Sequence, residues 1–239
     1  MQIYRGTIVL LDYVFYATVE RGKVYETGAF IHNYALTYAL GLVRGETYTY
    51  AQRQQKPHYR EELTPLNGQV YLAPGAPQQV AYRLVQWNTT EEGYALPGKE
   101  KSLGYPGWGF ARVLRPESRF IFYVMAPDPA ALPDAPALRD LIAGRTVRVR
   151  LGKFPGKARL RLKAADSVEE QTGSFFVNAF LNWRDLEGDP VTCDVLAASL
   201  PTRLLARAQF EEGDHYVAHF GDDTVKLPAC MRFLARPPK

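Results

Sequence analysis

Cysteine is nearly absent from this sequence, which contains only Cys193 and Cys230. Two isolated cysteines exclude the disulfide framework of a small secreted domain, and without a Cys-x-x-Cys pair they argue against a structural zinc site. Long apolar runs are also missing. The longest, residues 120–126, is far shorter than the roughly 20 residues of a membrane-spanning helix, and the first residues lack the pattern of a signal peptide. We therefore expect a cytoplasmic protein with no membrane partner.

Acidic residues are missing from one segment, and this makes the whole protein basic. Residues 145–163 contain 8 of the 29 lysines and arginines and no aspartate or glutamate. Removing those 8 from the 29 leaves 21 basic against 25 acidic side chains, a net charge of −4 for the rest of the chain. With 239 residues, 46% of them apolar and 23% charged, the chain otherwise has the composition of a globular protein with one elaborated domain or two small ones.

Hydrophobic periodicity predicts an α+β fold. A run rich in Ile, Val, Tyr and Thr predicts a first strand over residues 2–11, and an apolar stripe at helical spacing predicts a helix over 31–42 with Asn33 as its N-cap. The elements predicted after it are a short strand at 69–72, strands at 80–87 and 120–125, a helix at 134–144 and a strand at 147–151. The order strand, helix, strand, strand, helix, strand is that of the ferredoxin-like fold, which RNA-recognition modules share.

A long insertion and a β-rich C-terminal part extend this core. Residues 88–118 lie between the second and third core strands and contain five glycines and three prolines. A loop of this length inside a compact domain is usually functional or disordered. We assign residues 1–165 to the ferredoxin-like core with this insertion, and residues 166–239 to a C-terminal β-rich extension packed on the core. In the extension, strands are predicted at 174–183 and 215–220, and the pattern fits either helix or strand at 191–208.

The acid-free segment predicts a hairpin with one cationic face. Apolar and cationic residues alternate along 147–151 and 158–162, which places the apolar residues on one face and the cations on the other. Like charges paired across strands are destabilising, so a chain selected only for stability would place glutamates among them. We interpret this face as a polyanion-binding surface with an aromatic residue available to stack on bases. The alternative is a solvated edge hairpin whose cations discourage aggregation. The predicted contact residues are Arg148, Arg150, Lys153, Phe154, Lys157, Arg159 and Arg161.

The 88–118 insertion carries a second candidate site. Its stretch GYPGWGF, residues 104–110, is rich in glycine and aromatic residues and has basic residues on both sides. Such a loop can insert an aromatic side chain between bases or against a partner; the alternative is a surface loop held down by Trp108. The glycine order GxxGxG does not match a dinucleotide-binding fingerprint. The predicted contact residues of this thumb-like insertion are Lys101, Tyr105, Trp108 and Arg112.

The histidines do not suggest a metal site. His215 and His219 are four residues apart, but their surroundings predict a strand, which separates them by about 13 Å, too far for one zinc ion to bridge. We expect neither a metal nor another cofactor. His32, just before the first helix, is expected to serve packing or capping. His58, with Lys56 and several tyrosines nearby, leaves open a metal-independent RNA-cleaving site that uses general acid–base groups.

Four stretches of the sequence resemble one known family. LGKFPGKA, residues 151–158, resembles the LGKxxxKA strand–loop–strand signature of the CRISPR RAMP superfamily. Three further stretches resemble the type I-D Cas-five-type subunit: YETGAFIHNYALTYALGL (25–42), ELTPLNGQVYLAPGAP (62–77) and GYPGWGFARVLRPESRFIFYV (104–124). The resemblance extends over residues 1–165, about two thirds of the chain, and the motifs are specific in combination.

The resemblance implies a non-catalytic RNA-binding subunit of a type I-D CRISPR interference complex (Cascade). Such a subunit holds the 5′ handle of the CRISPR RNA (crRNA), caps the backbone filament and contacts the backbone subunit and the large subunit. Target DNA near its protospacer-adjacent end is a further expected partner. The family also carries a thumb between the second and third core strands, where residues 88–118 lie. A related branch cleaves precursor CRISPR RNA, so a metal-independent endoribonuclease stays open as the alternative function.

Overall fold

The computed structural model describes residues 1–16, 18–21, 24–43, 57–89, 107–153, 156–197 and 201–236. Within them, many strands combine with short helices. The helices are α1 (Asn33–Ala39), α2 (Tyr59–Leu63) and α3 (Pro136–Ile142), with single 3₁₀ turns at Thr64–Leu66, Pro129–Ala131 and Trp183–Asp185. The strands are β1 (Gln2–Leu10), β2 (Val19–Arg21), β3 (Val24–Glu26), β4 (Tyr71–Leu72), β5 (Ala76–Gln79), β6 (Tyr82–Thr89), β7 (Gly107–Leu114), β8 (Arg119–Ala126), β9 (Val147–Leu151), β10 (Gly156–Ala164), β11 (Ser167–Thr172), β12 (Phe175–Val177), β13 (Leu181–Asn182), β14 (Thr192–Ala197), β15 (Leu204–Phe210), β16 (Asp214–Phe220) and β17 (Asp223–Pro228). Among the described helices, none is long and apolar enough to cross a membrane.

The central sheet has the strand order β4-β8-β1-β10-β9, and β5 extends it by pairing with β8. All of its pairings are antiparallel. Ile8 of β1 pairs with Phe120 of β8 and with Leu160 of β10, and all three side chains are fully buried. Leu36 of α1 and Leu138 of α3 belong to the same hydrophobic cluster, so both helices pack onto this sheet.

A second sheet, ordered β2-β3-β7-β6, contains the strand predicted at 80–87. That segment forms β6, which pairs along its whole length with β7. Its predicted place in the central sheet is therefore wrong, because β4 and β5 take the position beside β8. The insertion at 88–118 is not all loop, since its last third forms β7. This strand is stabilised by Ala111 and Val113, which bury their side chains against Phe15.

The C-terminal strands form two more sheets. One has the order β11-β16-β17. In the other, β12 and β13 pair with different parts of β15 along one side, and β14 pairs with β15 along the other side. Segment 191–208, which the sequence left open between helix and strand, contributes β14 and the first part of β15, so its described regular structure is strand. One hydrophobic cluster continues from the central sheet into this part of the chain, where it includes Phe175, Leu205 and Phe220. The boundary at residue 165 between core and extension stays a prediction.

A buried carboxylate joins the first helix to the C-terminal part. The Asp185 side chain is fully buried. It accepts hydrogen bonds from Asn33 Nδ2 (2.7 Å), Tyr34 Oη (2.7 Å), Tyr71 Oη (3.1 Å) and Leu234 N (2.9 Å). Burial raises the pKa of Asp185 to about 6, and these hydrogen bonds oppose the shift. Four donors around one carboxyl match the acceptor capacity of its ionised form, which has no donor of its own.

His32, rather than the predicted Asn33, caps α1. Its Nδ1 accepts a hydrogen bond from Tyr34 N (3.2 Å), and its Nε2 lies 2.9 Å from Thr202 Oγ1. Because Thr202 donates its own proton to Asn182 Oδ1 (2.7 Å), the proton of the His32 ring is on Nε2. Burial lowers the pKa of His32 to about 3, in agreement with a neutral ring. Asn33 is instead the first helical residue, and its buried side chain accepts from Asn182 (3.0 Å). The expectation that His32 serves capping is confirmed.

Candidate nucleic-acid interface

The basic hairpin consists of β9, β10 and the turn that joins them, and β9 is the edge strand of the central sheet. Its register sets Arg150 opposite Lys157 and Arg148 opposite Arg159. All four of these side chains are exposed. The residues that alternate with them are buried: Val149, Leu151, Ala158 and Leu160. The predicted separation into a buried and a cationic face is confirmed.

The cations in the middle of the basic hairpin are not neutralised by neighbouring acids. Among the described residues, no carboxylate lies within 4.0 Å of five of them: Arg148, Arg150, Lys153, Lys157 and Arg159. Opposed side chains on one face of an antiparallel pair have Cβ atoms about 5 Å apart, and residues two apart along a strand are about 7 Å apart. These cations therefore form a compact grid whose members repel one another.

The ends of the basic hairpin differ from its middle. Lys163, near the end of β10, lies 3.8 Å from Asp166, and Arg145, just before β9, forms a 2.8 Å ion pair with Asp140. Arg161 is exposed and donates from Nε to a hydroxyl oxygen rather than to a carboxylate, at 2.7 Å. The uncompensated charge is thus concentrated at the half of the hairpin that is closer to its turn.

Arg119 on β8 extends the cationic face across the sheet. Register places Arg119 opposite Val9 of β1, Val9 opposite Arg159 of β10, and Arg159 opposite Arg148. The four residues form one row on the same face, and Arg119 is exposed. Arg119 is not evident as part of this face from the sequence, because it lies 40 residues before Arg159, outside the acid-free segment. Only the pairing of β1 with both neighbours brings the two arginines into one row.

The C-terminal strands cover the opposite end of this sheet face. Arg5 of β1 forms a 2.8 Å ion pair with Asp223, and its guanidinium carbon lies 4.9 Å from the centre of the Phe220 ring. Tyr123 of β8 also packs on Phe220, with ring centres 6.2 Å apart. The exposed cations lie at the end of the face that is closer to the β9–β10 turn, and this is the part of the face where a ligand can approach.

The turn of the basic hairpin is held by the residues that follow β1. Gly152 has φ +93°, in the left-handed region, and a Cβ there would lie 3.0 Å from Phe15 O. A Cβ on Gly156 would lie only 2.4 Å from Tyr13 O, so a side chain at this position requires a backbone shift. Lys153 N donates a 2.8 Å hydrogen bond to Phe15 O. Both glycines of the LGKxxGK stretch therefore permit close contact with segment 13–15.

Three of the predicted contact residues, Phe154, Lys101 and Tyr105, lie outside the described residues, and their roles stay predictions. Trp108 lies on β7, where its backbone pairs with Asn88 of β6. The two alternatives for its side chain stay open.

Arg112 is exposed on β7 but makes contacts within its own sheet. Its guanidinium carbon lies 3.9 Å from the centre of the Tyr82 ring, and its Nη1 lies 3.8 Å from a carboxylate oxygen of Glu26. Tyr82 belongs to β6 and Glu26 to β3, the two neighbours of β7. Arg112 therefore joins the three strands of the second sheet, and a partner contact at this residue stays a prediction.

The acid–base site suggested for His58 stays a prediction, because part of it lies outside the described residues. His58 is exposed directly before α2, and its side chain makes no capping hydrogen bond. The adjacent Tyr59 packs on Tyr34, with ring centres 5.1 Å apart. Lys56 lies outside the described residues.

His215 and His219 lie on β16, which confirms the predicted strand. His215 is buried and stacks on Phe175, with ring centres 4.2 Å apart. His219 Nδ1 lies 3.1 Å from Thr224 Oγ1. Within the described ranges, no group of three or more His, Cys, Asp or Glu side chains is arranged to hold a metal ion.

The sequence matches one family model over nearly all of its length. That model, type I-D CRISPR-associated protein Cas5/Csc1, covers residues 1–236. The chain belongs to this family. The resemblance seen in the sequence is thereby confirmed, and membership in the Cas5/Csc1 family gives the chain a CRISPR-associated role.

Two solved structures are similar to this Cas5/Csc1-family chain. One is a chain of the type III-B Cmr-beta complex, determined by cryo-EM with cognate target RNA and AMPPnP; it is 12% identical with a TM-score of 0.47, over 93% of this chain and 86% of that one. The other is the crystal structure of a CRISPR protein from Archaeoglobus fulgidus, 14% identical with a TM-score of 0.45, over 96% of this chain and 100% of that one. No curated protein matches the sequence significantly.

Proposed function

We propose that this chain is a non-catalytic RNA-binding subunit of a type I-D interference complex, and that it holds the 5′ handle of the crRNA on the basic hairpin. The observation that carries the proposal is the grid of exposed cations on β9 and β10, which have no carboxylate neighbour among the described residues. Such a grid costs stability in the isolated protein, because its members repel one another across the strands. Binding a polyanion offsets that repulsion.

The spacing of the grid suits the backbone of single-stranded RNA. Cations about 5 Å apart across the strands and about 7 Å apart along them allow neighbouring phosphates to meet separate side chains. A guanidinium group also binds a phosphate through two parallel hydrogen bonds. Phosphate contacts carry no sequence information, so selectivity for the handle falls to RNA shape and base stacking. Target sequence is read by guide pairing.

We further infer that the central sheet is a ferredoxin-like core. If β4 and β5 together count as the second core strand and β10 as the fourth, the order second, third, first, fourth follows from the observed arrangement β4-β8-β1-β10. The predicted place of residues 147–151 as the fourth core strand is wrong, because β10 pairs with β1 and β9 pairs with β10 at the edge of the sheet. β6 and β7 are then inserted between the second and third core strands, the position of a thumb. We expect the thumb to contact the backbone and large subunits, and target DNA near its protospacer-adjacent end to be a further partner.

The main test is RNA recovery from a co-expressed complex. The tagged chain is purified with its partner subunits and a repeat–spacer RNA, and recovered RNA is quantified on a denaturing gel. We expect Arg148→Glu/Arg150→Glu to reduce recovery by at least about tenfold, because two phosphate contacts become repulsive. The matched control is Arg207→Glu/Arg232→Glu, which reverses two exposed arginines that already pair with Asp194 and Glu187.

The control should retain wild-type recovery. Equal recovery with the hairpin variant and wild type would mean that partner subunits hold the RNA, and the proposal would be rejected. A binding titration of the isolated chain adds a second criterion. If about four hairpin cations meet phosphates, the logarithm of the association constant should fall with the logarithm of salt concentration with a slope near roughly −3 for single-stranded RNA.

The non-catalytic part of the proposal has its own test. Labelled repeat RNA is incubated with the wild-type chain in the presence of EDTA. We expect the RNA to stay intact, since His58 is exposed and its neighbour Tyr59 is packed against the core. Cleavage that is abolished by His58→Ala would instead establish the metal-independent endoribonuclease.

A further inference from the structure

A cleft of about 720 Å³ opens beside β9, at the free edge of the central sheet. We call it the edge cleft. Its lining combines side chains of two kinds. The apolar and aromatic members are Leu11, Tyr38, Ala39 and Val149, and the cationic members are Arg148, Arg150 and Lys157. No acidic side chain is among the described residues that line it. The volume lies within the roughly 300–1,000 Å³ range of sites for small organic ligands.

Tyr38 is the aromatic wall of the edge cleft, and its ring is held in place from behind. Its hydroxyl donates to a carboxylate oxygen of Glu62. Its ring also meets the Tyr59 ring edge-on, with centres 6.2 Å apart and an angle of 66° between the planes. A ring fixed in this way is preorganised, so a ligand that stacks on it loses little side-chain entropy in the protein.

The cationic side of the cleft belongs to the basic hairpin itself. Arg150 and Lys157 are opposed across β9 and β10, and Leu11 continues the same ladder, because Leu11 N donates to Lys157 O at 2.9 Å. Leu11 is 37% exposed, so an apolar patch lies directly beside the two charges. The cations and the apolar and aromatic side chains line the same cleft, so a ligand with its phosphate on Arg150 and Lys157 also has an apolar and aromatic surface beside it.

We propose that the edge cleft receives one unstacked nucleotide of the RNA, with its base on Tyr38 and its phosphate on Arg150 and Lys157. The proposal rests on the proposed function, since it assumes that the hairpin holds RNA. A flat apolar base joined to an anion is the ligand that matches both halves of the lining. An acidic peptide would satisfy the cations but would leave the Tyr38 ring and Leu11 without a planar partner.

The test is a fluorescence titration of the full chain with a single-stranded RNA of the repeat-derived handle sequence. 2-Aminopurine replaces one base at a time. We expect one position to change its fluorescence on binding to wild type and to lose that change with Tyr38→Ala, with an affinity loss of about tenfold. The salt slope should stay the same, because no charge is removed. Tyr38→Phe keeps the ring and should bind within about twofold of wild type.

Tyr216→Ala is the matched control, because it removes a half-buried tyrosine of β16 that does not line the cleft. It should keep the position-specific fluorescence change. If Tyr38→Ala does not fold, Tyr38→Leu decides instead: it keeps an apolar side chain at this position without a ring to stack on, and it should lose the fluorescence change.

The outcomes separate this inference from the proposed function. If wild type does not bind the RNA, or if Arg148→Glu/Arg150→Glu binds as well as wild type, the proposed function fails and the inference fails with it. If the hairpin variant weakens binding but Tyr38→Ala, or Tyr38→Leu in its place, keeps the wild-type affinity and fluorescence change, only the edge-cleft inference is overturned.

Discussion

Arginines of the basic hairpin and arginines of the C-terminal part have opposite surroundings. Arg232 and Arg236 form ion pairs of 2.9 and 2.7 Å with Glu187 and Asp189. The exposed cations at the centre of the hairpin face one another instead. Where these arginines serve only the fold, each is neutralised by a carboxylate of the same chain. The unpaired cations therefore point to a partner that brings negative charge from outside.

Asp185 is a charged residue that serves only the stability of the fold. It is buried, and all of its hydrogen-bond donors belong to the same chain. Changes there should affect stability and leave RNA affinity unchanged, whereas changes in the hairpin should do the reverse.

Asp185→Ala should cause the largest loss of stability. The substitution removes the acceptor and leaves four buried donors without a partner, which should cost about 3–5 kcal/mol of unfolding free energy and lower the melting temperature by roughly 10 °C. Thermal and urea unfolding measure the loss. RNA affinity of the folded fraction, measured well below the melting temperature, should match wild type. A loss below about 1 kcal/mol would show that the network is not structural.

Gly156→Ala should destabilise the hairpin turn. The new methyl group would meet Tyr13 O at 2.4 Å, and the required backbone shift should cost about 1–3 kcal/mol. Gly188→Ala is the matched control, since neither glycine has a left-handed φ and the Cβ position at Gly188 is open. Urea unfolding should show a larger loss at Gly156. Equal losses would remove the close contact with Tyr13 from the explanation.

Stability should depend on pH through Asp185. Because burial raises its pKa from 3.8 to about 6, the folded protein takes up a proton between pH 6 and pH 4 that the unfolded chain does not yet bind. The contribution of this group to stability is therefore largest below pH 4 and is lost as the pH rises through 6, by at most about 1.4 kcal/mol per pH unit. The measurement is the difference in unfolding free energy between wild type and Asp185→Asn, at pH 7 and pH 5. That difference should shift in favour of wild type at pH 5; a constant difference contradicts the assignment.

Single arginine-to-alanine changes should produce the smallest effects, with opposite signs in the two regions. Arg148→Ala removes repulsion with Arg159 and should raise the unfolding free energy by a few tenths of a kcal/mol while weakening RNA binding. Arg207→Ala breaks an exposed pair with Asp194 and should lower stability by about 0.2–1 kcal/mol without changing RNA binding. Urea unfolding and RNA titration of both variants give the four values. Equal losses of RNA affinity in the two variants would contradict the assignment of RNA binding to the hairpin arginines alone.

The sequence predicted local features well and long-range ones poorly. Alternation along β9 and β10 determined the two faces of the hairpin, because a strand's side-chain period is fixed by its backbone. The partner sheet of β6 was mispredicted, since alternation states that a segment is a strand but not which strand it joins. Arg119 was missed for the same reason.

The buried network around Asp185 had no signal in the sequence at all. Asn33 and Asp185 are 152 residues apart, and each is ordinary in its local context. The local pattern even favoured Asn33 as a helix cap, and only the folded structure shows that tertiary hydrogen bonds occupy its side chain. Tyr38 was likewise assigned to the apolar stripe of a helix, where nothing indicated that one side of its ring would line a cleft.

Segment 13–15 contacts both the β6–β7 pair and the turn of the basic hairpin. Val14 exchanges two hydrogen bonds with Leu114, of 3.1 and 2.9 Å, at the base of the β6–β7 pair. The residues on either side of Val14 lie against the glycines of the hairpin turn. The direction in which β6 and β7 leave the core and the position of the hairpin turn therefore share one anchor. An insertion or deletion in this three-residue segment would misalign both together, whereas one in the turn would leave the β6–β7 pair in place.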